Sequence, residues 1–204
     1  MKIFCIAGNY RKHNAEIAME TPSKPVFFIK PETALLRNNS DFYYPEFSSQ
    51  IEYETEIVLK ICKVGKCVSP KFAHRYYDEI GIGLDITARD IQNECRQKGL
   101  PWFLSKGFDG AAPISPVFLP KTQFADMRNI DFSLKINDKT VQQGNTADMM
   151  FSFDEIVSYI SQFVMFKTGD LIYTGTPAGV GPLKIGDFCE AFIGQEKLLE
   201  MRVK

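Results

Sequence analysis

The chain has 204 residues, of which 45% are hydrophobic and 13% aromatic, and its formal net charge is −1 at pH 7. This composition predicts a packed domain and excludes an intrinsically disordered chain, which has few aromatic residues and a large net charge. It gives no indication of a nucleic-acid partner or an anionic membrane, and no apolar run approaches the roughly 18 residues of a membrane-spanning helix.

The cysteines are odd in number and scattered, at Cys5, Cys62, Cys67, Cys95 and Cys189, without a Cys-x-x-Cys pair. This pattern predicts a reduced, cytoplasmic protein. The apolar stretch after Met1 is too short for a signal peptide. We expect Cys62 and Cys67 to be buried thiols and not a zinc or redox site.

Strand-like runs dominate the chain. They cover residues 2–7, 26–30, 51–63, 80–84, 114–119, 132–136, 139–143, 171–174, 188–193 and 197–203. Asn137-Asp138 and Gly186-Asp187 are typical of tight turns between such strands.

Three segments are predicted to be helical, at residues 13–19, 87–98 and 152–166. The second has Thr87 and Asp90 in capping-box spacing and ends before Gly99. The third has the same spacing in Ser152 and Glu155. Many strands with few helices predict a β-rich α+β domain, and the missing strand–helix alternation excludes a doubly wound sheet.

The most informative stretch contains Glu52, Glu54 and Glu56. If it forms one strand, the three glutamates share a face at a spacing of about 6.5–7 Å, close enough to repel or to converge on one cation. A solvated strand face is the alternative, but such faces usually mix charges of both signs, and no lysine stands between these glutamates.

A further acidic residue, Asp85, ends an apolar run just before the second predicted helix. Capping of that helix would explain Asp85 by itself. Beside the glutamates, a metal ligand is the more economical interpretation. An all-oxygen site suits Mg²⁺, Mn²⁺ or Ca²⁺ and argues against zinc, which prefers nitrogen and sulfur.

Seven motifs occur together in a characteristic order. They are GNYRKHNAE at 8–16, FIKP at 28–31, ETE at 54–56, LDITARDIQ at 84–92, PW at 101–102, KGFD at 106–109 and TGTPAGVG at 174–181. Through them the chain resembles the fumarylacetoacetate hydrolase family, specifically its short acylpyruvase and oxaloacetate decarboxylase branch.

The resemblance implies a mixed β-sandwich roll, a homodimer, and a single catalytic domain over residues 1–204 without the extra N-terminal domain of larger members. It implies Mg²⁺ or Mn²⁺, with Ca²⁺ as a further candidate, bound by Glu54, Glu56 and Asp85. Glu52 has no ligand role in that pattern.

The resemblance also implies a small 2-oxo acid substrate, whose carboxylate and 2-oxo oxygens chelate the metal. His13 and Glu16 match a lid pair that activates water, and Lys106 matches a cation that polarises a substrate oxygen. Arg89 and Gln92, three apart on one side of a helix, are expected substrate contacts, with a structural ion pair as the alternative for Arg89.

The glycine-rich segment at 174–181 lacks the Lys-Ser/Thr of a phosphate-binding loop, so a nucleotide site is not expected. Gly175 and Thr176 are predicted instead to close over a substrate carboxylate, with a tight turn as the alternative.

Three functions therefore stay open. Hydrolysis of acylpyruvates, with decarboxylation of oxaloacetate, is the first. An isomerase or decarboxylase of a 2-hydroxy-diene dioate, or a tautomerase of oxaloacetate, is the second and would share the metal site. The third is a non-catalytic metal- or ligand-binding protein on the same fold.

Overall fold

A computed structural model describes residues 1–204 of the chain. Strands make up most of its regular structure. They are β1 Ile3–Ala7, β2 Val26–Lys30, β3 Leu35–Leu36, β4 Ile51–Tyr53, β5 Thr55–Ile61, β6 Tyr77–Leu84, β7 Thr87–Ala88, β8 Ala112–Pro113, β9 Leu119–Pro120, β10 Asp131–Ile136, β11 Lys139–Asn145, β12 Leu171–Tyr173, β13 Gly181–Pro182, β14 Phe188–Ile193 and β15 Glu196–Arg202.

Helices are short and few, as expected from a sequence in which strand-like runs dominate. The α-helices are α1 Arg11–Glu16, α2 Pro70–Ala73, α3 Arg89–Lys98, α4 Phe103–Lys106 and α5 Phe153–Phe163. Single 3₁₀ turns lie at Glu32–Ala34, Lys121–Gln123 and Thr146–Asp148. No helix combines the length and the apolar character that crossing a membrane requires.

The strands form four sheets. The largest has the order β2-β1-β12-β5-β6-β9, and the second has the order β11-β10-β14-β15. Two small sheets, β13-β4-β7 and β3-β8, lie beside them. In β10 and β14 every second residue is buried, which is the pattern of a sheet with one face on the core. In β5 almost every residue is buried, because that strand is covered on both faces.

The predicted β-rich α+β class is confirmed, and most predicted strands lie within two or three residues of their observed bounds. The hairpin at Asn137 and Asp138 is confirmed, since both residues have the positive φ angles, 50° and 67°, that a type I′ turn requires. The prediction of one strand over 114–119 is wrong, because only Leu119–Pro120 pairs there. The run 51–63 is not one strand either, since pairing is interrupted between β4 and β5.

Helix starts separate local from tertiary signals. The capping box of Ser152 and Glu155 is present at the start of α5. The one predicted from Thr87 and Asp90 is absent, because Thr87 pairs with Glu52 in a sheet and α3 begins at Arg89. The Asp90 carboxylate instead accepts hydrogen bonds from the Ser48 hydroxyl at 2.6 Å and the Ser49 amide at 2.9 Å.

The expectation for the cysteines is partly wrong. Cys62 is half-buried and Cys67 is exposed, on a turn where its φ is 52°. The apolar run that led to this expectation ends at Ile61, so both thiols fall on the connection that follows β5 and not within the strand.

The cap of α5 gives a test of how much one helix start contributes to stability. Replacement of Ser152 by Ala removes the acceptor for the Glu155 amide, so we expect the free energy of unfolding to fall by about 1 kcal/mol. Urea unfolding at an unchanged m value measures this loss. Ser23→Ala, at an exposed bend, is the matched control and should leave the midpoint unchanged. Equal midpoints for the two variants would contradict the assignment.

Candidate metal centre

The site begins where the chain bends at Glu54. β4 belongs to the three-stranded sheet and β5 to the six-stranded sheet, and Glu54 is the residue between them. The Asp85 amide donates a hydrogen bond of 2.8 Å to the Glu54 carbonyl, just beyond the end of β6. This backbone contact brings two distant acidic residues to the same place.

Glu54, Glu56 and Asp85 converge on one position. One oxygen from each carboxylate lies within 4.8 Å of the other two. Their exposed fractions are 5%, 1% and 2%, so the cluster is sealed from bulk water. Asp85 does not cap α3, which begins four residues later. The helix-capping interpretation of Asp85 is therefore excluded.

Two glycines allow the backbone to pass close to the cluster. Gly83 on β6 pairs with Glu56, and a Cβ there would lie 2.6 Å from the Tyr173 ring and 2.8 Å from the Pro113 carbonyl oxygen. Gly175 has a φ of +99°, which side-chain-bearing residues rarely adopt. Its amide donates a 2.7 Å hydrogen bond to Glu56 Oε2.

Two cationic side chains contact the carboxylates on the cavity side. Lys106 Nζ donates to Glu54 Oε2 and to Asp85 Oδ2, both at 2.9 Å, and also contacts the Thr87 hydroxyl. Arg89 donates from Nη2 to Glu54 and from Nε to Glu52, each at 2.6 Å. Arg89 is thus part of an internal ion-pair network that uses three of its five N–H groups, and its predicted contact with substrate stays a prediction.

A third cation, Lys30, lies behind Asp85. Its Nζ is 2.7 Å from Asp85 Oδ1, although its hydrogen bonds go to the carbonyl oxygens of Ile86 and Ala111. Asp85 Oδ1 consequently has no aligned hydrogen bond. The distance and the missing hydrogen bond are compatible, because an ammonium can neutralise a carboxylate oxygen at contact without pointing an N–H at it.

The surroundings of Glu54 and Glu56 shift the pKa values of the two carboxylates in opposite directions. Burial, followed by the charges of Asp85 and Glu54, raises the pKa of Glu56 well above its usual value. Burial also acts to raise the pKa of Glu54, but Lys106 and Arg89 outweigh it and hold that pKa well below the ordinary range. Glu56 is therefore the carboxylate that the protein's own cations compensate least.

These observations fit a divalent cation. The donors are all carboxylate oxygens, as hard divalent ions prefer, and Asp85 Oδ1 is a buried acceptor without a hydrogen bond. A cation would also relieve the repulsion that acts on Glu56. Glu54, Glu56 and Asp85 form a site for a divalent metal.

His13 and Glu16 lie on α1, next to the cluster. His13 Nδ1 is 3.4 Å from Glu16 Oε2, and Glu16 also accepts hydrogen bonds of 3.1 Å from the Gly179 amide. Burial lowers the pKa of His13 below its usual 6.5, although the charge of Glu54 and the hydrogen bond to Glu16 act in the other direction. A neutral imidazole at pH 7 follows, with its other ring nitrogen free to accept a proton.

A small cavity of about 20 Å³ joins these groups. Its polar lining residues are His13, Glu54, Asp85, Arg89, Gln92 and Lys106, and its apolar ones are Ile6, Ala7, Ile17, Met19, Phe28 and Trp102. Such a volume holds about one water molecule. Ile17 and Met19 follow α1, so this part of the chain covers the site.

Gly175 and Thr176 are engaged inside the protein. The Gly175 amide holds Glu56, and Thr176 Oγ1 donates a 3.0 Å hydrogen bond to the Thr55 carbonyl and accepts one from Gln142. Neither lines the cavity. Their predicted contact with substrate stays a prediction.

Two charged residues of the site were not assigned a role from the sequence. Glu52 is 8% exposed and accepts hydrogen bonds from Arg89 and from the side-chain amide of Gln50. It belongs to the ion-pair network of Arg89 but is not one of the three carboxylates that converge. Lys30 is fully buried. The sequence offers one indication of a role for Lys30, since it is a charged residue at the end of an otherwise apolar strand, Val26–Lys30.

Comparison with known proteins identifies the family to which the sequence is similar. Residues 2–204 match the family model described as "Fumarylacetoacetate (FAA) hydrolase C-terminal". The chain is 39% identical over 202 residues to the mitochondrial oxaloacetate tautomerase of Bos taurus, covering 99% of this chain and 90% of that protein. It is also 39% identical over 186 residues to the mitochondrial oxaloacetate decarboxylase of Dictyostelium discoideum, covering 91% of this chain and 85% of that protein.

A solved structure also shares the fold. The fumarylpyruvate hydrolase of Pseudomonas aeruginosa, in complex with Mn²⁺ and pyruvate, superposes with a TM-score of 0.92 at 32% identity. The match covers the whole of this chain and 89% of the hydrolase.

The three alternating glutamates, Glu52, Glu54 and Glu56 (the glutamate stripe), offer an internal test of the metal site. Glu54→Gln, Glu56→Gln and Asp85→Asn should each abolish the rise in melting temperature that Mn²⁺ causes, because binding to the folded state alone stabilises it by RT ln(1 + [L]/Kd). Glu52→Gln, from the same stripe, should keep that rise. Calorimetric titration of EDTA-treated protein gives the matching affinities. Mn²⁺ binding by the Glu56 variant equal to that of the unmodified protein would refute the assignment.

Proposed function

The chain belongs to the fumarylacetoacetate hydrolase family, and from that premise we propose that it is a divalent-metal-dependent enzyme that interconverts the enol and keto forms of oxaloacetate. One observation carries the proposal. The buried His13 and two of the three metal-binding carboxylates, Glu54 and Asp85, line the same cavity. An acceptor for a carbon-bound proton thus lies beside a site for a cation.

Oxaloacetate suits this site because its C3 lies between a 2-oxo group and a carboxylate. When bound at Glu54, Glu56 and Asp85, a divalent cation supplies Lewis acidity to the carboxylate and 2-oxo oxygens of a 2-oxo acid. The interconversion moves one proton between C3 and the 2-oxo oxygen and needs no organic cofactor.

His13 is the proposed acid–base residue. A carboxylate only accepts hydrogen bonds, so Glu16 favours the tautomer with the proton on Nδ1 and leaves Nε2 as the base. Nε2 would take the proton from C3 and deliver it to the 2-oxo oxygen, or carry it in the opposite direction. Glu16, held by the Gly179 amide, is a positioning residue for the ring.

Gln92 is the proposed hydrogen-bond donor to substrate, and Lys106, whose three N–H groups go to Glu54, Asp85 and Thr87, is the proposed positive charge beside it. The Lys106 ammonium lines the cavity and would stabilise negative charge on the 2-oxo oxygen. Gln92 Oε1 accepts a hydrogen bond from Arg89 Nη1, so the Gln92 amide group has its N–H donors left for a substrate oxygen. Arg89 fixes this orientation and would contribute a carboxylate contact through its remaining N–H groups.

Hydrolysis of acylpyruvates is a second candidate, and it was the first from sequence alone. The His13–Glu16 pair and a cavity of one water molecule's volume favour it, because a neutral histidine beside water is a general base. We rank hydrolysis below the interconversion of oxaloacetate because the two relatives at 39% identity are named for oxaloacetate, whereas the fumarylpyruvate hydrolase is 32% identical.

Three features are proposed with the function on the strength of the sequence and its family resemblance. These are one catalytic domain over residues 1–204, a homodimer, and a cytoplasmic location.

Substrate assays separate the candidates. Enol-oxaloacetate should lose its ultraviolet absorbance faster with enzyme than without it, EDTA should abolish the acceleration, and Mn²⁺ or Mg²⁺ should restore it. Release of pyruvate from acetylpyruvate or oxaloacetate, measured in parallel with lactate dehydrogenase, reports hydrolysis and decarboxylation. No acceleration with any of these substrates in metal-replete buffer would refute the proposal and favour the non-catalytic alternative.

The two histidines of the chain form a matched pair. His13→Gln should lower kcat by about 10²- to 10⁴-fold, the usual contribution of a general base. His74→Gln, at an exposed position outside the cavity, should change nothing. Because burial lowers the pKa of His13, its basic form persists as pH falls through 6.5, so the acid limb of kcat/KM should have its midpoint below that value. A midpoint above 6.5, or equal effects of the two variants, would contradict the role of His13.

A further inference from the structure

Lys30 has an unusual environment for a lysine. It closes the edge strand β2, its exposed fraction is 0%, and its ammonium lies 2.7 Å from Asp85 Oδ1. The remaining contacts are with two backbone carbonyls, Ala111 at 2.6 Å and Ile86 at 3.2 Å. Burying an ammonium is costly, so such a residue persists where its charge is needed.

Lys30 differs from Lys106 in what it can reach. Both ammonium groups contact Asp85, one at each carboxylate oxygen. Lys106 also lines the cavity, where a substrate can meet it, whereas Lys30 is not among the lining residues. Two carbonyl groups anchor Lys30 in place. Lys30 can therefore affect a bound metal or substrate only through Asp85.

The charges of the site explain why a second lysine is needed. Asp85 is 2% exposed and lies within 4.8 Å of two glutamate oxygens. Lys106 is shared between Asp85 and Glu54, and Arg89 between Glu54 and Glu52. Lys30 is the one cation of the three that contacts no carboxylate other than Asp85.

We propose that Lys30 is a positioning residue that acts as the permanent counter-ion of Asp85 and holds the metal-free site in its folded geometry. The divalent cation then joins a site that is already assembled. The cation and the Lys30 ammonium would both neutralise the Asp85 carboxylate, so their positive charges would repel each other. The inference rests on the metal site of the proposed function and is independent of which 2-oxo acid is the substrate.

Lys30→Met tests the proposal without any turnover. In EDTA the variant should melt roughly 10 °C below the unmodified protein, because it leaves a buried carboxylate without its partner. Saturating Mn²⁺ should close more than half of that gap. By linkage, calorimetric titration should show Mn²⁺ binding at least about tenfold more tightly to the folded variant, since a repelling ammonium is gone.

Two results would overturn the proposal. A gap of equal size with and without Mn²⁺ would make Lys30 an anchor for the Ile86 and Ala111 carbonyls only. Weaker Mn²⁺ binding by the variant would mean that Lys30 orients Asp85 for ligation and does not compensate its charge. A flat oxaloacetate assay accompanied by the expected Mn²⁺ behaviour would refute the proposed function and leave this inference standing.

A double variant covers the case in which Lys30→Met does not fold. Lys30→Met with Asp85→Asn removes both charges, so in EDTA it should fold and melt above Lys30→Met alone. Failure of this rescue would also overturn the proposal. Lys60→Met is the control, since Lys60 pairs at 2.6 Å with Glu79 on the surface. It should keep the unmodified melting temperature and Mn²⁺ response.

Discussion

Four carboxylates and three cationic side chains share one buried region of this protein, and their mutual compensation is the constraint on which the site depends. The carboxylates belong to Glu52, Glu54, Glu56 and Asp85, and the cations to Lys30, Arg89 and Lys106. A buried charge without a partner costs more than an ion pair returns, so each carboxylate needs a neighbour. Glu56 receives only a backbone amide, and it is the group whose pKa rises. One divalent cation supplies what the side chains leave uncompensated.

The irregular backbone around the cluster follows from the same constraint. A continuous strand would keep Glu52, Glu54 and Glu56 in a row, each about 7 Å from the next. Interruption of the pairing at Glu54 sends Glu52 to Arg89 and lets the other two converge with Asp85. Gly83 then admits the Tyr173 ring at a distance that a larger residue would prevent, and Gly175, with its φ of +99°, turns its amide toward the Glu56 carboxylate.

Local signals in the sequence were sufficient for most of the fold. Alternating runs located the long strands, and the cap of Ser152 and the turn at Asn137-Asp138 depend only on neighbouring residues. Thr87 shows the limit, because its capping pattern was overridden by pairing with Glu52, a contact that no local pattern encodes.

The site shows the same division. Glu54, Glu56 and Asp85 were identified from carboxylate chemistry together with the family resemblance. The partners of Glu52 and Lys30 were not, since each depends on a tertiary contact of 2.6 or 2.7 Å between segments far apart in the chain. Ion pairs of this kind follow from the packing of elements and not from spacing along the sequence.

The chain that follows α1 closes over a cavity with room for one water molecule, and this has a consequence for how a substrate is met. A ligand larger than water would enter only if this segment moved away, which would break the hydrogen bonds from Gly179 to Glu16 and from Arg96 to Ile17. Its apparent affinity is the intrinsic affinity reduced by the fraction of open molecules. Tight closure and tight apparent binding would therefore oppose each other, and these hydrogen bonds would raise the ligand concentration needed to fill the site.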